Sequence, residues 1–176
     1  MIGGRAGSRW LWLSFGVLAA DRGTKFVIER YTSVYFRFPV ISDIVTLVHN
    51  QNPGIAFGVF SDSNSKWLAP LLLVSSALVM ALLVWLLVTR RAGGWLAQSG
   101  LALILGGAAG NALDRLLHGG VTDFVEVRLG TYRWPAFNVA DSAISIGAAL
   151  VLIELIFGGR RGPIPPNEAA ARMLVK

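Results

Sequence analysis

Between Trp67 and Val88 the chain runs for 22 residues without one charged side chain. No other feature constrains the fold as much. Coiled as an α-helix, such a run extends about 33 Å at 1.5 Å per residue, enough to cross a hydrocarbon layer of about 30 Å. In lipid the backbone must satisfy its own N–H and C=O groups, and a single helix does so. Trp95–Leu117 and Phe137–Phe157 read the same way, and Trp67, Trp85 and Trp95 sit near span ends as interfacial anchors do. The mean hydropathy of +0.58 agrees with a membrane protein. Trp10–Ala20 is also apolar, and the pattern continues through Asp21, Arg22 and Lys25 to Phe26-Val27-Ile28. A basic start and a short apolar run suit a cleaved leader, but Leu18-Ala19-Ala20 is a poor cleavage site, so a span over about 10–28 is preferred. Asp21 and Lys25 stand four apart, share a helix face and can pair, as a purely structural ion pair or as part of a site.

The expectation is an all-α integral membrane protein with four transmembrane helices, over about 10–28, 67–88, 95–117 and 137–157, forming one domain over residues 1–158. Residues 159–176, rich in glycine and proline and then polar, are expected to be a mobile cytoplasmic tail. Val34–Ile41 and Ile44–His49 are rich in β-branched and aromatic residues and read as short strands. Val125, Val127 and Leu129 alternate with Glu126 and Arg128, a half-exposed strand that Leu129–Tyr132 turns into a hairpin. A small extracytoplasmic β-structure formed by the 31–66 and 119–136 loops follows. Asn52-Pro53-Gly54 is a turn signal, open to ordinary turn chemistry or to a site with an amide and a close backbone approach. Gly106 and Gly110 form a small-xxx-small pair suited to close helix packing.

The chain has no cysteine, which removes disulfides, thiol nucleophiles and thiolate metal sites, and its only imidazoles are His49 and His118. No metal or other cofactor is expected. The net charge of +6 is read as basic flanks of spans meeting membrane lipids, not as a nucleic-acid surface. Lys and Arg divide evenly, eight on each side of the membrane. The adjacent pairs Arg90-Arg91 and Arg160-Arg161 at span ends still favour both termini in the cytoplasm.

In a chain 54% hydrophobic and 15% charged, Gly106–Ser142 is unusually polar: it carries Asn111, Asp114, Arg115, Asp123, Asn138 and Asp141. Four spans bring these residues, with Asp21 and Asn52, to one membrane face. Asp141 falls about one turn, roughly 6 Å, into the last span. Carboxylates beside hydrocarbon are costly and mark candidate sites. If Asp123 and Asp141 meet, one keeps a proton and the pair offers a base and an acid together, the arrangement of aspartic proteases. The ionised member deprotonates a water and the other hydrogen-bonds the scissile carbonyl. Spacing alone is a weak signal for such a pair and favours the plainer reading, in which Asp123 caps a turn and Asp141 is a paired structural carboxylate. Asn138 can cap the last helix, orient a carboxylate, or do both. Asp114 and Arg115, adjacent on a helix, each need another partner, and interfacial snorkelling also accounts for Arg115.

GGAAGNALDRLLHGGVTDF followed by FNVADSAI, with DRGTK near the end of the first span and NPGIAF after the first strands, resembles the bacterial lipoprotein signal peptidases, or signal peptidase II. The resemblance extends over about Asp21–Glu154. It implies an intramembrane aspartic endopeptidase that removes the signal peptide from diacylglyceryl-modified prolipoproteins at the outer face of the bacterial cytoplasmic membrane, with a small β-structure cradling the substrate. Carried over by motif, Asp123 and Asp141 match the catalytic dyad. Asn52, Gly54, Gly107, Asn111, Arg115, Asn138 and Ala140 match substrate-site residues, and Asp21, Lys25 and Asp114 match supporting positions. A monomer is the expected state. The residues alone also allow a small polytopic transporter or a non-enzymatic assembly factor. The crowding of polar groups at one face and the lack of repeated halves speak against a transporter.

Overall fold

The computed structural model describes residues 5–53, 67–89 and 91–158. In chain order the elements are α1 (Arg5–Tyr31), β1 (Arg37–Ile41), β2 (Val45–Asn52), α2 (Leu68–Thr89), α3 (Trp95–His118), β3 (Val121–Leu129), β4 (Tyr132–Phe137) and α4 (Val139–Phe157). Among the described residues, three helical segments, Pro70–Thr89, Trp95–His118 and Val139–Phe157, are long and apolar enough to cross a membrane. α1, at 27 residues, is long enough too, but its second half carries Asp21, Arg22, Lys25, Glu29 and Arg30. It runs unbroken through the position where a leader would be cut. The strands make one antiparallel sheet in the order β1-β2-β3-β4, so the expected all-α class describes the helices only. Both expected β regions contribute to that sheet, the first through β1 and β2, the second through β3 and β4.

α3 is the central helix. Its glycines face two ways. A Cβ on Gly106 would lie 2.6 Å from the Ser14 carbonyl of α1. One on Gly100 would lie 2.6 Å from the Gly147 carbonyl of α4, and one on Gly147 2.5 Å from the Gly100 carbonyl. Backbone therefore packs on backbone along both crossings, as small residues permit between apolar helices. Ser14 ties α1 to α3 by donating to the Ala102 carbonyl at 2.8 Å. Leu83 and Leu87 of α2 pack with Ala102 and Leu105 of α3, and Trp10, Leu11 and Leu13 of α1 close over them. The outer faces of α2 and α4 leave Leu71, Leu78, Leu82, Leu155 and Ile156 exposed, a surface suited to lipid.

At the other end of α3, Gly119 takes a left-handed conformation (φ 74°) and returns its N–H to the Arg115 carbonyl, an αL stop that only a residue without a Cβ adopts freely. The chain leaves directly into β3. Gly130 (φ 61°) turns β3 into β4. β2 extends three residues beyond the strand expected from Ile44–His49, through Asn50, Gln51 and Asn52. These polar residues have little intrinsic preference for strand, and pairing with β3 supplies what propensity lacks. In that ladder Gln51 stands opposite Thr122 and Asn52 opposite Val121, which sets Asn52 diagonally beside Asp123.

Candidate active site

Asn138 ends β4's connection and caps α4. Its Oδ1 accepts the Asp141 N–H at 2.9 Å, and the Asp141 carboxylate accepts the Asn138 N–H at 3.3 Å, a reciprocal capping box. Asp141 is thereby fixed in the first turn, where the exposed N–H groups of a helix favour a negative charge. The same Asn138 side chain donates from Nδ2 to Asp123 Oδ1 at 2.8 Å. One residue thus holds both aspartates, Asp123 by its side-chain amide and the Asp141 carboxylate by its backbone N–H. Asp123 Oδ2 accepts from Asn52 Nδ2 at 3.2 Å, and Asp141 Oδ1 accepts from Asn111 Nδ2 at 2.8 Å. Each aspartate is also gripped by an asparagine from a separate element.

Burial pushes the Asp123 carboxyl up to about 7, and the neighbouring Asp141 charge adds to the rise. The amides of Asn52 and Asn138 favour the charged form but are outweighed. Both carboxylates open on one cleft of about 560 Å³. Asn52, Asn111 and Arg115 line its polar part, Trp134, Phe137, Ile144 and Ile146 its apolar part, and Ser76 of α2 also contributes to its wall. Arg115 interacts electrostatically with Asp141 and Asp123 and donates to the Asn111 carbonyl at 3.3 Å.

Behind this layer lies a fully buried charge cluster. Lys25 reaches Asp21 at 2.8 Å, Asp114 at 3.0 Å and Asn111 Oδ1 at 3.0 Å. The Asp21–Lys25 pair read from spacing is present, and the pair is more than a mutual neutralisation. Asp21 Oδ1 also accepts the Ala140 N–H at 2.9 Å, so α1 anchors the first turn of α4. Asp114 takes Arg22 at 2.6 Å, and Arg22 also bonds Glu29. Glu29, Asp114 and His118 bring three potential metal-ligand atoms within 4.8 Å, but Arg22 already bridges the two carboxylates.

Of the residues singled out from the sequence, Asn52, Asn111, Arg115, Asp123 and Asp141 line the cleft together. Asn138, Asp21, Lys25 and Asp114 lie buried immediately behind it. Gly107 and Ala140 are not on the cleft wall. A Cβ on Gly107 would lie 2.5 Å from the Ala140 carbonyl, so the two form the α3–α4 crossing that lets Asn111 reach Asp141. Gly54 lies outside the described residues. Glu29, Arg22 and Thr122 were not singled out. Thr122 is fully buried and bonds Glu29 at 2.9 Å and Asp114 at 2.9 Å. The seven-residue spacing of Arg22 and Glu29 on one helix face was a legible signal.

With this geometry in place, the comparisons are specific. The family profile described as Signal peptidase (SPase) II matches residues 13–157. The lipoprotein signal peptidase of Solibacter usitatus is 42% identical over 153 residues, covering 82% of this chain and 91% of that protein. The lipoprotein signal peptidase of Pseudomonas fluorescens is 40% identical over 157 residues, covering 87% and 90%. Among solved structures, a bacterial membrane enzyme determined by the in meso method at 2.3 Å resolution superposes with a TM-score of 0.78 at 25% identity, covering 89% of this chain and 94% of that one. An apolar helical frame, a two-carboxylate cleft at its end and agreement over nearly the whole chain lead to one conclusion: this chain belongs to the signal peptidase II family, the aspartic-type lipoprotein signal peptidases.

Proposed function

We propose that Asp123 and Asp141 carry out the family's reaction, removal of the signal peptide from diacylglyceryl-modified prolipoproteins, as a dyad sharing one proton. The observation that carries this reading is the double grip of Asn138, which bonds the Asp123 carboxylate and caps the helix turn that bears Asp141. Asp123, raised to about 7, is the member that holds the shared proton in this scheme, and Asp141 is its partner. Asp141 takes a proton from a water as that water attacks the scissile carbonyl. The Asp123 carboxyl donates a hydrogen bond to the carbonyl oxygen as it becomes an oxyanion. The proton held by Asp141 then passes to the leaving amine, and the dyad returns to its starting state. No side-chain nucleophile enters the scheme.

Asn52, Asn111 and Arg115 present polar groups to the peptide backbone, while Trp134, Phe137, Ile144 and Ile146 receive apolar side chains. Asp21, Lys25 and Asp114 support the site from behind, and Gly54 completes the substrate site in this proposal. α1 acts as a fourth span, with Asp21, Arg22, Lys25 and Glu29 turned onto α3, α4 and β3 instead of lipid. Both termini then face the cytoplasm, and the cleft opens at the outer face of the cytoplasmic membrane, where a spanning signal peptide exposes its scissile bond. The chain acts as a monomer, with membrane lipids around it.

The test is a gel-shift cleavage assay in nanodiscs with a diacylglyceryl-modified prolipoprotein, the same substrate without lipid, and a metal chelator present. The expected result is chelator-resistant cleavage of the lipidated substrate alone, lost by at least about a thousandfold in Asp123→Asn and in Asp141→Asn. Normal turnover by either variant would sink the dyad.

A further inference from the structure

Thr122 immediately precedes Asp123, and neighbouring residues on a strand point to opposite faces. Asp123 faces the cleft, while Thr122 is turned into the protein and is absent from the cleft wall. Every polar group of Thr122 is bonded, each to a different element. Its N–H donates to Asp114 Oδ2 of α3 at 2.9 Å. Its hydroxyl donates to Glu29 Oε1 of α1 at 2.9 Å and accepts from Gln51 Nε2 of β2 at 3.0 Å. Its carbonyl accepts from Asn138 Nδ2 at the α4 cap, at 3.4 Å. Arg22 joins the two acidic partners, donating to Asp114 at 2.6 Å and to Glu29 Oε1 at 3.2 Å. A single strand residue is therefore located by α1, α3, β2 and the α4 cap at once.

We propose that Thr122 is the positioning residue for the Asp123 carboxylate and that Glu29 acts through it. The inference rests on the dyad reading above. The hydroxyl's bond to Glu29 fixes the side of β3 that faces away from substrate, and the opposite side carries the reacting group. A shift of about 1 Å at such a group costs up to about a hundredfold in rate. Thr122 does not touch substrate, so its loss appears in kcat and not in KM.

The experiment compares wild type, Thr122→Val, Thr122→Ser, Glu29→Gln, Asp123→Asn and the double variant Thr122→Val/Glu29→Gln. Initial rates are measured across pH in nanodiscs, with thermal midpoints measured in parallel. Thr122→Val keeps the shape and loses the hydroxyl. It is expected to lower kcat about ten- to a hundredfold with KM unchanged, and to displace the pH limb that belongs to Asp123. Thr122→Ser restores kcat. Glu29→Gln lowers kcat in the wild-type background and has no further effect in Thr122→Val, because two residues acting in series do not add. Wild-type kcat in Thr122→Val, an equal loss at every pH that follows a lowered folded fraction, or additive effects in the double variant would each overturn the proposal. A folded but inactive wild type, matching Asp123→Asn, would overturn the dyad reading and this inference together.

Discussion

Asn138 has one side chain and two functions that the sequence left as alternatives: it caps α4 and it orients a carboxylate. Its position three residues before Asp141 announced the cap, and only folding brought Asp123 within 2.8 Å of the other end of the amide. The Asp123 carboxyl, pushed up to about 7 by burial, makes a prediction at this scale. In the proposed dyad Asp123 acts with its proton on, so kcat should fall as pH rises through about 7, approaching tenfold per pH unit at the limit. Rates measured between pH 5 and 9 check this, and a flat profile across 7 contradicts it. The sign for stability is the same. The folded carboxyl holds its proton up to about 7 and the unfolded one only to about 4, so this group's contribution declines as pH climbs through that window. Thr122 and Glu29 illustrate the opposite case. A threonine in a strand and a glutamate near a helix end are ordinary residues, and their meeting across 93 positions has no local signature.

Among the elements, α3 decides the most. Its glycine pattern was legible as close packing, but not which neighbour each glycine meets. Gly106 faces α1, whereas Gly100 and Gly107 face α4. Gly107, matched to substrate-site residues by motif, sits where its Cβ would strike the Ala140 carbonyl. Gly107→Val should force α3 from α4, cost about 1–3 kcal/mol, lower the thermal midpoint and break the Asn111–Asp141 bond. Gly23→Ala, where a Cβ meets nothing within 4 Å, should leave the midpoint unchanged or raise it. Equal midpoints for the two variants would refute this account of the crossing. β2 shows the same limit from the other side. Its first half announced itself through Val45–Val48, while Asn50–Asn52 became strand only because β3 offered partners. That extension places Asn52 against Asp123.

For the molecule as a whole, the sheet and cleft gather at the end of α3 opposite the α2–α3 turn. The proposed orientation puts these two ends on opposite sides of the membrane. Because the chain contains no cysteine, single cysteines report it directly. With Thr131→Cys at the β3–β4 turn, a membrane-impermeant maleimide added to intact spheroplasts should react. With Ala92→Cys in the α2–α3 turn, reaction should follow only after permeabilisation. The reverse pattern would invert the orientation. The order of residues along the chain dictates what each segment can do locally. Uninterrupted apolar runs must become helices in lipid, alternating residues suit a half-exposed strand, and carboxylates at the edges of apolar segments need a reason to be there. Tertiary structure alone decided which of those carboxylates share a cleft, which are neutralised by Lys25 and Arg22, and which amides hold them. Hydropathy and periodicity are properties of neighbouring residues, whereas a shared proton and a buried ion cluster depend on distances between residues that the chain brings together only by folding.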